Sequence, residues 1–106
     1  MDIQHWLATL PQRLRTEASK DLTAVFQFQV DDWAAWVAIN NTHASGETGY
    51  HESPDVTLTA SLETFKALGK GRLSGMTAVM QGKLKVKGSL PLASRLPELF
   101  TLNELE

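Results

Sequence analysis

Three histidines, His5, His43 and His51, are the side chains of this chain best suited to acid–base or metal chemistry. His43 and His51 fall in a turn-rich stretch that also holds Glu47 and Glu52. Two imidazoles share one metal most readily one turn apart on a helix, as in H-E-x-x-H, and no spacing here sets two ligands on one helical face. Positions in a surface loop account for them. The serines form no G-x-S-x-G elbow. Gly69, Gly71 and Gly75 lack the G-K-[ST] of a phosphate loop, and their G-x-G follows a helical pattern instead of a strand. They read as helix stops. The carboxylates are scattered through loops and termini, and none is singled out as half of an acid–base pair. With no cysteine, the chain has no thiol nucleophile, disulfide or Cys-type zinc site. No motif calls for a cofactor or a metal, and the expectation is a protein that is not an enzyme.

What the sequence does concentrate is hydrocarbon beside positive charge. Residues 76–90 read MTAVMQGKLKVKGSL. Met76, Val79 and Met80 recur at helical spacing, Gly82 interrupts, and Lys83, Lys85 and Lys87 then alternate with Leu84 and Val86. The alternation turns Leu84 and Val86 inward and the lysines outward. A sharp turn at Gly82 would let Met80 and Leu84 face the same interior. Methionine is adaptable wall material for an apolar pocket, and equally ordinary core. The lysines protect a strand edge from pairing, or meet anionic lipid headgroups.

The elements that position these residues follow from periodicity. Ile3, Trp6, Leu7 and Leu10 share one face of an opening helix, with Asp2 as its cap and Pro11 bending it or starting a second segment through Leu14. TAVFQFQV (23–30) alternates, with Phe26, Phe28 and Val30 on one face and Gln27 and Gln29 on the other. Asp31-Asp32 supplies a turn into WAAWVAI (33–39), giving a hairpin. Alternation cannot put Trp33 and Trp36 on the same side. Asn40-Asn41 and Gly46 mark the next turn, with a third strand near 46–52. DVTLTAS (55–61) is a fourth strand. The period then changes: Ser61 caps a helix with Leu62, Phe65, Ala67 and Leu68, Ser74 caps a shorter one, and KLKVK (83–87) is the last strand. That late strand returns after a helical crossover, which permits a parallel neighbour. Ser89 caps a final helix with Leu92, Leu96 and Leu99, which Pro97 shortens or bends. Strands in series followed by helices predict an α+β fold with a mostly antiparallel sheet.

At 106 residues, 42% hydrophobic and 21% charged, the chain suits one globular domain spanning residues 1–106. The net charge of −2 gives no case for nucleic acid. Its distribution is uneven: seven basic residues and no acid lie between Lys66 and Arg95, leaving three basic residues and all twelve acids elsewhere. No apolar run reaches the ~20 residues of a membrane span, and the start lacks a secretory pattern, so a soluble, cytoplasmic protein is expected.

Taken together, DVTLTAS, LETFKALGKG, QGKLKVKG and SLPLASRL resemble the sterol carrier protein 2 (SCP2-like) lipid-transfer domains over Asp55 to about Leu96. Gln81–Gly88 is the most specific piece, and residues 25–49 match as paired strands with a Trp-rich second strand. The resemblance implies a curved sheet of about five strands covered by helices, with an apolar tunnel between the layers. It implies non-catalytic binding or transfer of a sterol, fatty acid, fatty acyl-CoA or isoprenoid. The lining it implies is Phe26, Phe28, Trp36, Val56, Leu58, Phe65, Leu68, Met76, Met80, Leu84, Val86, Leu92 and Leu96. Partners on this reading are a long apolar ligand and, transiently, an anionic membrane surface. The alternative is an interaction module with a filled core, a homodimer through Trp33, Trp36 and the sheet face, or an accessory to a lipid or quinone pathway. The sequence lacks a C-terminal S-K-L, so no peroxisomal address is expected.

Overall fold

The computed structural model describes residues 8–69 and 72–99, so most of the expected opening helix lies outside the described residues. Pro11 sits at the start of a 3-10 turn, Leu10–Arg13, where its missing N–H costs nothing. A single helical turn, α1 (Thr16–Ser19), leads into the sheet.

Five strands form that sheet: β1 (Thr23–Val30), β2 (Trp33–Asn40), β3 (His43–Thr48), β4 (Val56–Ala60) and β5 (Leu84–Gly88). Their spatial order is β3-β2-β1-β4-β5. β1 and β2 pair antiparallel across the expected two-residue turn, in which Asp31 takes a left-handed φ of 54°. An aspartate tolerates that conformation better than most residues. The second turn falls at Asn41, φ 57°, and Gly46 lies inside β3 instead of marking the turn. There a Cβ would approach the Trp36 carbonyl to 2.6 Å, so β3 needs a glycine at that crossing. His43 is accordingly the first residue of a strand, not part of a loop.

β4 is parallel to β1, and β5 is antiparallel to β4. The expectation of a parallel partner for the last strand is thereby corrected. Two helices, α2 (Leu62–Gly69) and α3 (Gly75–Met80), separate β4 from β5. They return the chain to the end where β4 stopped, since Ala60 pairs with Leu84. One crossover helix would have delivered it to the other end. The parallel step instead belongs to the β3–β4 connection, which passes β2 and β1.

Caps fall where the serines predict. Ser61 Oγ accepts from Thr64 N at 3.2 Å, Ser74 Oγ from Thr77 N at 3.1 Å, and Ser89 Oγ from Leu92 N at 3.3 Å. Each satisfies one of the orphan donors of a helix start. The last helix is broken into α4 (Leu90–Ser94) and α5 (Leu96–Leu99), just before Pro97. Arg15 N donates to Leu99 O at 2.7 Å and Arg95 Nη2 to Ala18 O at 2.7 Å, tying the segment before the sheet to the final helices.

Candidate functional site

The register puts Phe26 beside Val37 and Val56, and Phe28 beside Ala35 and Leu58. Leu58 faces Val86 and Ala60 faces Leu84. Side chains directly opposite in a sheet share a face. One face of all these strands is therefore continuous hydrocarbon and aromatic surface. Phe26, Phe28, Val37 and Leu58 on it are fully buried. Phe26 and Phe28 rings stack at 6.2 Å between centroids.

The helices close over this face. α2 delivers Phe65 and Leu68, both buried, and the Phe65 ring meets Phe28 edge-on at 6.2 Å and 62°. α3 contributes Ala78, fully buried, and Leu99 of α5 joins the same core. Leu62, Leu73, Val86 and Leu92 are partly buried around the margin. Among the described residues the buried polar side chains are Ser19, Gln27 and Thr64, and no buried charge is present. Such a face can solvate an apolar chain.

Most of the lining read from the sequence comes together here: Phe26, Phe28, Val56, Leu58, Phe65, Leu68, Leu84, Val86 and Leu92. The Leu96 side chain lies outside the described ones. Three residues are placed elsewhere. Trp36 pairs with Gln27, on the opposite face of the sheet, where its ring meets the His51 ring at 4.9 Å. The inward residues of β2 are instead Ala35, Val37 and Ile39. Counting across the two-residue turn would have found them, because Phe26 must then oppose Val37. Met76 and Met80 are 76% and 81% exposed, and Met80 does not share an interior with Leu84. α3 is anchored by Ala78, and Met76 and Met80 lie about 160° round the helix from it.

The second face of the sheet has its own cover, which alternation did not reveal. Gln27 is 2% exposed. Its Nε2 donates to Gly49 O at 2.9 Å and Ala35 O at 3.2 Å, and its Oε1 accepts from His51 N at 2.7 Å. The strand-to-strand segment after β3 is thus pinned across the centre of the sheet. His51 Nδ1 accepts from Ser53 N at 2.9 Å, which makes this histidine a structural acceptor.

An open cleft of about 420 Å³ lies along the ends of β1, β2 and β3, with His43, Ser45 and Asp55 on its walls. A second, of about 240 Å³, lies by Pro11 and Gly46. Neither is lined by Phe26, Phe28, Phe65, Leu68 or Leu84. No group of three or more His, Asp or Glu side chains among the described residues could hold a metal ion. No described helix is long and apolar enough to cross a membrane.

Fold and face together define a small α+β domain with a mixed five-stranded sheet whose apolar side is roofed by short helices. The chain belongs to the SCP-2 sterol transfer family, whose model matches residues 3–101. It is 32% identical over 93 residues to hydroxysteroid dehydrogenase-like protein 2 of Rattus norvegicus, covering 83% of this chain and 18% of that protein. It is 33% identical over 86 residues to sterol carrier protein 2 of Homo sapiens, covering 76% of this chain and 16% of that one. The chain thus spans less than a fifth of the length of these two curated relatives. The solution NMR structure of palmitated SCP2L2 from Aedes aegypti superposes with a TM-score of 0.70 at 25% identity, covering 92% of this chain and 93% of that one.

Proposed function

We propose that this domain binds a long apolar lipid, a fatty acyl or isoprenoid chain or a sterol, between the sheet and the α2–α3 roof, without acting on it. The observation that carries the reading is the uninterrupted apolar face of β1, β4 and β5 under a roof of short helices. Membership in a family described by sterol transfer supports it, as does the palmitated state of a similar domain.

The physics favours a site that opens for its ligand. A dry cavity of ~300 Å³ at ~24 cal/mol per Å³ would cost about 7 kcal/mol, against a typical stability of ~5–15 kcal/mol. The packed core of Phe28, Leu58 and Phe65 avoids that cost. The seam of partly buried residues, Leu62, Leu73, Val86 and Leu92, is where the roof separates from the sheet at least expense. An acyl chain entering there supplies the dispersion attraction that sheet and roof give up on separating.

Native mass spectrometry of mildly purified protein, with titration of a fluorescent acyl probe, tests the reading. Co-purifying lipid or saturable uptake is expected. Leu84→Trp, which adds bulk at a buried position on the same face of β5 as the seam residue Val86, should weaken uptake by roughly tenfold. Met80→Trp, at an exposed position on the outside of α3, should leave uptake unchanged. Bare protein that takes up neither fatty acyl nor isoprenoid probes would end the reading.

A further inference from the structure

The outward face of α3 is an apolar ridge on the surface. Met76 is 76% exposed, Val79 42% and Met80 81%. Met76 and Met80 stand one turn apart, so their side chains form a single ridge. Three neighbouring exposed apolar residues on so short a helix call for an occupant.

The charges around the ridge indicate which one. Arg72 precedes α3 and Lys83 follows it, so a cation stands at each end. Both are exposed, and among the described residues neither is held in an ion pair. From Thr64 to Pro97 the sequence has no carboxylate at all. Gly82, at φ 74°, turns the chain sharply between Met80 and Lys83 and keeps that cation next to the ridge. An apolar ridge bracketed by exposed cations is complementary to a bilayer with anionic headgroups, where methionines enter the acyl boundary and cations stay at headgroup level. A second copy of the chain fits worse: a two-fold contact through the ridge would gather Arg72 and Lys83 of both copies at one interface, like charge against like.

We propose that α3, through Met76, Val79 and Met80 with Arg72 and Lys83 at its ends, is the surface by which this domain docks on anionic membranes. The inference rests on the carrier reading for its purpose, a surface where lipid is collected or delivered. Its location rests on exposure and charge alone. Because α3 holds the sheet through Ala78, docking seizes the part of the roof beside the seam.

Flotation with phosphatidylcholine vesicles, and with vesicles of an equimolar phosphatidylcholine–phosphatidylserine mixture, tests it. The unaltered protein should bind the mixed vesicles tenfold or more tightly than the neutral ones, roughly as two headgroup-level cations allow. Met76→Gln with Met80→Gln should reduce binding to mixed vesicles about tenfold, while the unfolding midpoint and acyl-probe uptake from solution stay unchanged. Arg72→Gln with Lys83→Gln should abolish the preference for the mixture. Equal partition of the unaltered protein between vesicle types would overturn the proposal. So would full binding by the methionine variant, which would place docking on another surface. A dimer that the methionine variant dissolves, with no change in flotation, would assign the ridge to a second copy instead. Uptake is read separately, so ridge-dependent flotation with no lipid uptake would keep the docking surface and remove the carrier reading.

Discussion

Gln27 is the residue on which the outer layer depends. Its buried amide donates to carbonyls of β1 and β2 and to Gly49 O, and accepts from His51 N in the segment after β3. Gln27→Leu fills a similar volume but leaves His51 N–H and Gly49 C=O without that partner. A buried polar group so stranded costs about 1–3 kcal/mol, more than the added leucine surface returns. The expected outcome is a lower urea midpoint at unchanged slope, with earlier proteolytic cutting between Gly49 and Asp55. An unchanged midpoint would mean that water replaces the amide. The inward set of β1 is legible in the sequence because alternation alone fixes Phe26, Phe28 and Val30. The burial of Gln27 is not legible, because alternation separates two faces without saying what covers the second. Trp36, read from the sequence as lining, is outward once β2 is registered against β1, and His51 with its segment supplies the cover that a large indole there requires.

At the scale of elements, α3 is the less anchored of the two helices of the α2–α3 roof. It is six residues long, contributes one fully buried side chain, and has a single capping serine. The nucleus of so short a helix is held mainly by its cap and by tertiary packing. Ser74→Ala should therefore weaken it by about 1 kcal/mol, read as roughly fivefold faster hydrogen exchange at Lys83, whose N–H is bonded to Ala78 O. Exchange that stays slow would mean α3 opens only when the whole domain unfolds, and the seam would then lie elsewhere. The caps of α2, α3 and α4 were readable because each serine is followed at once by a change of period. The direction of β5 was not. It turns on whether the chain makes one pass or two between strands, and a helix count gives that only when each helix's direction is known. The facing of α3 failed for a related reason: with apolar residues at Met76, Ala78, Val79 and Met80, periodicity alone does not choose the small residue as the anchor.

For the molecule as a whole, the closed core and the uneven charge have one consequence each. The charge is split along the chain, +7 between Lys66 and Arg95 and −9 in the remainder, an asymmetry that a net −2 conceals. On the carrier reading proposed above, the closed core requires a ligand to lift the roof from the sheet before it is held. A ligand that binds the folded state alone raises stability by RT ln(1 + [L]/Kd), about 2.7 kcal/mol at a hundredfold excess over Kd. For a domain of this size each kcal/mol moves the midpoint by roughly 4–8 °C, so calorimetry with a long-chain fatty acid should show an upward shift of some 10–20 °C. Leu84→Trp should shrink that shift when it is read against the variant's own ligand-free midpoint, which overpacking by about 1–3 kcal/mol lowers in its turn. A short-chain acid should give almost none, because too few methylenes leave water to offset drawing the Phe65 ring away from Phe28. If long and short chains raise the midpoint equally, the gain comes from headgroup charge at the basic segment, and the space between sheet and roof is core and nothing more.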